Sequence, residues 1–83
     1  MKKTGDHHAR VPLAVLLPGT QAVVECIDAG IATAQQEQLL AYGIAPARAV
    51  QVLQQRPMTI VMIDEVELAL ETGVACLIWV KRE

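Results

Sequence analysis

The sequence predicts a mainly β domain, a small closed barrel of about five short strands with one short α-helix. Three observations predict it. Apolar residues alternate at period two in several short runs, as on a half-buried strand. Turn signals at Pro18-Gly19, Asp28-Ala29-Gly30, Asp64-Glu65 and Thr72-Gly73 keep those runs short. The core must be aliphatic: 53% of the 83 residues are hydrophobic, yet there is no Phe, one Trp and one Tyr. Many aliphatic side chains in so small a body favour a compact barrel, and they leave some on the surface as a mark of an interface.

Residues 1–10 are polar and aperiodic and read as a flexible N-terminal tail ahead of a domain at 11–83. Pro12 to Leu17 is an apolar lead-in that stops at Pro18-Gly19 and suits one helical turn plugging a barrel end. A strand follows from Gln21 to Asp28. Ala22 and Val24 alternate, but Ile27 breaks the parity, which predicts a bulge near Glu25. Thr33 and Gln36 fit a capping box at the start of the helix, and Leu39 and Tyr42 are expected to share its buried face. Gly43 stands where a left-handed C-terminal residue belongs, and Pro46 prevents continuation. A helix under three turns long needs a sheet to lie on.

The β pattern returns with Val50 and Val52, in a strand ending near Arg56-Pro57. Thr59 to Ile63 is densely apolar. After the polar pair Asp64-Glu65, Val66, Leu68 and Leu70 alternate, which predicts a hairpin. Ala75 to Val80 reads as the last strand. Val24, Val52 and Leu70 are expected core residues.

In this order the features resemble the FeoA family, small cytoplasmic proteins associated with the ferrous iron transporter. Leu16, Gly19, Ala22, Val24 and Ile27 are similar to its opening strand. Leu39, Tyr42, Gly43, Ile44 and Pro46 resemble its helix-and-turn signature. Val50, Val52, Pro57, Leu68, Ala69, Leu70, Ala75, Ile78 and Val80 follow at matching offsets. Gln38 departs from the pattern where the family favours Arg. Ala47 departs where it favours Gly, and a residue with a Cβ resists positive φ. The connection from Pro57 to Ile60 is also shorter than usual.

The resemblance implies an SH3-like barrel, no enzymatic activity, and an accessory or regulatory role in ferrous iron transport. It implies protein–protein contact with the cytoplasmic domain of the membrane GTPase transporter. A similar fold closes some metal-dependent repressors behind a DNA-binding helix-turn-helix, for which ten leading residues leave no room. The alternative is a self-assembling structural or redox- and metal-sensing SH3-like module, forming homo-oligomers and using Cys26 and Cys76.

The residues themselves point to binding rather than catalysis. There is no Ser, and both histidines stand in the tail, away from either Cys. The glycines are spaced turn residues rather than a phosphate loop. Net charge is −2, with basic pairs only at the two ends, so nucleic acid is not an expected partner. No apolar run is long enough to insert in a membrane. A cytoplasmic location follows, in which Cys26 and Cys76 stay free thiols. No cofactor and no metal are expected. Asp6, His7 and His8 could touch a cation weakly, but they lack a rigid support.

Three residues form the candidate partner-binding patch. If Ile78 and Val80 point inward, period two turns Leu77 and Trp79 outward, and Trp is frequent among binding hot spots. Trp79 could equally cover a barrel end or pack under the N-terminal segment. Leu40 sits 100° round the helix from Leu39 and is expected to be exposed.

Overall fold

The computed structural model describes residues 10–83. In chain order they form strand β1 (Val11–Pro12), a 3-10 turn (Leu13–Val15), β2 (Gln21–Ile27) and helix α1 (Thr33–Ala41). β3 (Ala49–Gln54), β4 (Thr59–Ile63), β5 (Val66–Leu70), a short helix α2 (Thr72–Ala75) and β6 (Ile78–Arg82) follow. The strands make one antiparallel sheet in the order β1-β6-β2-β3-β4-β5, the SH3-like arrangement. β2 therefore lies between β6 and β3, antiparallel to both.

Period two decides which face of each strand is buried. On β4, Thr59, Val61 and Ile63 point inward while Ile60 and Met62 are half-buried. Val24, Val52 and Leu70 are buried, as expected, and Leu13, Leu16, Ile44, Ile78 and Val80 join them in one aliphatic cluster. The β2–β6 register shifts between Val24 and Cys26, which is the bulge read from the broken parity at Ile27. Ile63 pairs with Val66, so Asp64-Glu65 is a two-residue hairpin turn. Asp64 takes positive φ and pairs with Arg48.

Helix α1 departs from expectation at its start. Its N-cap is Ala32, without a side-chain cap, and Thr33 is already the first helical residue. The capping box is therefore absent, because Thr33 lies one position too far into the helix for its hydroxyl to serve as N-cap. The C-terminus is as expected. Gly43 has φ +99°, its N–H donates to the Leu40 carbonyl, and the Ile44 N–H donates to the Leu39 carbonyl. This is a Schellman motif, and its two apolar residues, Leu39 and Ile44, are both buried. Tyr42 is half exposed rather than sharing the buried face of Leu39: the chain beyond it is anchored by Ile44 instead.

Two further differences concern the ends of the fold. β1 is a sixth strand, too short for any alternation to show. Residues 72–75 form a helical turn, so the last strand begins at Ile78 instead of Ala75 and runs on through Lys81 to Arg82.

Ala47 keeps the left-handed backbone that the family gives to Gly, at φ +73°. Hydrogen bonds hold it there: its N–H donates to the Val24 carbonyl and the Val24 N–H to the Arg48 carbonyl. The left-handed region costs a residue with a Cβ roughly 1–2 kcal/mol, while Gly adds some freedom to the unfolded chain. Ala47→Gly is therefore expected to raise stability by about 0.5–1 kcal/mol in urea melts. A lower midpoint would show that the loop carries no strain.

Candidate partner-binding surface

Trp79 lies on β6 between two neighbours, opposite Pro12 of β1 and Cys26 of β2. It is half-buried. Its indole N–H donates to Asp28 Oδ1 at 3.3 Å, and the Arg10 guanidinium stands over the ring at 5.6 Å from its centroid. Arg10 also donates to Cys26 Sγ at 3.1 Å. The ring thus packs under the segment entering β1, one of the placements the sequence left open.

Asp28 makes this arrangement rigid. Its Oδ2 accepts the Gly30 N–H at 2.8 Å, a local side-chain turn, and its own N–H donates to the Leu77 carbonyl at 2.7 Å. One residue thereby ends β2, anchors the approach to β6 and satisfies the indole. The Asp-x-Gly spacing signals the turn in the sequence. The contact with Trp79 spans 51 residues and has no local signal.

Leu77 precedes β6 and packs against the core while remaining partly exposed. Leu77 does not follow the period-two pattern, because it belongs to the turn after α2 and not to the strand. Leu40 projects from α1 and is 44% exposed, as the helical angle predicts. Trp79 and Leu77 therefore lie close along one chain segment, whereas Leu40 reaches solvent from a different element.

The chemistry available here is contact. The indole's polar group is satisfied internally, so what Trp79 offers a partner is apolar ring surface. Cys26 and Cys76 are free thiols. Among the described residues no three of His, Cys, Asp and Glu converge as metal ligands, and no helix is long and apolar enough to cross a membrane. Asp6, His7 and His8 lie outside the described residues, as does the tail expected at the N-terminus up to Ala9.

A six-stranded antiparallel sheet of this order with one main helix defines a small SH3-like domain. The FeoA domain family model matches residues 11–82, and the chain belongs to that family. Among solved structures, an iron uptake regulatory protein (FeoA) matches with a TM-score of 0.80 at 27% identity, over 90% of this chain and 99% of that one. FeoA of Stenotrophomonas maltophilia, a prokaryotic SH3 domain protein solved with zinc, gives 0.78 at 23% identity, over 88% and 95%. IdeR of T. acidophilum gives 0.83 at 21% identity, over 90% of this chain but only 35% of its own. The likeness to IdeR is one of fold, and this chain spans about a third of its length. No curated protein sequence matches this chain.

Proposed function

We propose that this chain is a cytoplasmic accessory protein of ferrous iron transport that acts by contact, docking on the cytoplasmic domain of a membrane GTPase transporter. The observation that carries the reading is the family match across 11–82, on a fold aligned over nearly its whole length with an iron uptake regulatory protein. Small SH3-like barrels suit such work, because a rigid sheet presents side chains without needing a cavity for chemistry. The proposed contact residues are Trp79, Leu77 and Leu40. They supply an aromatic and two aliphatic anchors of the kind that dominate interface energetics.

Calorimetry of the chain against the purified GTPase domain tests this. Trp79→Ala is expected to weaken association by about 2 kcal/mol or more. Because the ring also holds Arg10 and Asp28, this variant should lose some thermal stability as well. Leu40→Ser, at an exposed helical site, separates the two effects: it should melt like the wild type and still bind more weakly. Absence of any wild-type heat of binding would sink the transporter reading. Normal binding by folded variants would move the contact elsewhere on the domain.

A further inference from the structure

A recess among the described residues lies away from Trp79. It is an open groove of about 600 Å³ between the 3-10 turn and the connection from β3 to β4. Val15, Leu17 and Pro18 wall one side and Pro57 the other. Val15 is 56% exposed and Leu17 75%, the latter more than any other large apolar residue described. Single exposed aliphatics are ordinary, but two beside an apolar groove make a continuous surface that water covers at a cost.

The groove is also rigid. The Gln55 side chain forms its floor, donating to the Leu13 carbonyl at 3.0 Å and the Leu16 carbonyl at 2.6 Å, and accepting the Thr59 hydroxyl at 2.6 Å. The turn that carries Val15 and Leu17 is thereby tied to the β3–β4 connection. A surface held in place before binding loses little entropy on association.

Charge indicates the occupant. Arg56 is the one charged residue lining the groove, on a chain of net charge −2. The ion pairs among the described residues, Arg48–Asp64 and Lys81–Glu25, leave it out. A guanidinium at the rim of an apolar recess selects a carboxylate beside an apolar side chain. We infer that this groove docks a protein segment carrying an aliphatic residue with an Asp or Glu close to it in sequence. A recessed surface with one cation does not suit a lipid bilayer, which calls for clustered basic residues.

The test needs no transporter, so its outcome is separate from that of the proposed function. Random displayed peptides are selected on the immobilised full chain, and an enriched peptide is then measured by fluorescence anisotropy. Enriched sequences should pair an aliphatic residue with a nearby acid. Leu17→Asp and Arg56→Glu, both at exposed positions, should each weaken the peptide about tenfold or more, whereas Val66→Ser, at an exposed site outside the groove, should leave it unchanged. A fresh selection on Arg56→Glu should replace the acid with Lys or Arg. No enrichment, enriched peptides without an acid, or unchanged binding by either groove variant would overturn the inference. If Leu17→Asp fails to fold, Arg56→Glu decides alone.

Discussion

Ile44→Ala is expected to lower the unfolding free energy by about 2–5 kcal/mol. Ile44 is fully buried although it lies in a loop. It is the residue after Gly43, and its N–H closes the longer bond of the Schellman motif at Leu39. Truncation removes an apolar contact that fastens α1 to the sheet and leaves a cavity the tight turn cannot collapse. A domain of this size has only about 4–12 kcal/mol in total, so the variant should be partly unfolded under mild conditions. Urea melts followed by circular dichroism measure it. A midpoint close to that of the wild type would show that the helix is held by other contacts.

Gln55→Ala should cost about 2–4 kcal/mol, although Gln55 is polar and only half-buried. The cost comes from what its loss leaves behind. Thr59 is fully buried, and its hydroxyl donates to Gln55. Without that acceptor a buried donor is unpaired, and the carbonyls of Leu13 and Leu16 lose their shared N–H donor. Thr59→Val removes the orphaned hydroxyl, so the double variant should lose less than the sum of the two single losses. Gln55→Glu is the sharper control. It can still accept from Thr59, but a carboxylate cannot donate to two carbonyls and would face them with like partial charge. Thermal melts of the four proteins give the coupling directly, and strict additivity would dissolve the network as a unit. The same variants should loosen the groove at Leu17 and Arg56, linking this local network to the docking inference.

Features set by short-range interactions were legible in the sequence, and those set by long-range ones were not. Thr59–Ile63 has the bounds its apolar run predicts and Val66–Leu70 those its alternation predicts, and Asp64-Glu65 turns between them. The bulge after Val24 and the left-handed Gly43 were also visible, because a parity break and a helix-ending glycine are local signals. The capping box failed by one residue. Thr33 and Gln36 have the right spacing, but the chain enters the helix at Ala32, and i,i+3 spacing alone does not say where the first turn begins. The last strand began late because residues 72–75 fold into a turn that brings the small Ala75 into the core, where period two has no authority.

The candidate sites separate in the same way. Leu40 is exposed by a helical angle that any reader of the sequence can compute. The surroundings of Trp79 are set by strand pairing: Pro12, Cys26 and Asp28 meet it only because β6 lies between β1 and β2. The groove of Val15, Leu17 and Arg56 likewise exists because Gln55 joins segments about forty residues apart. Alternation, turn residues and aliphatic composition were enough for the class of fold, since each acts within a few residues along the chain. Which side chains share a surface was decided by the order and register of the strands. Those depend on how the whole aliphatic core packs, a condition satisfied jointly by residues far apart and by no short stretch alone.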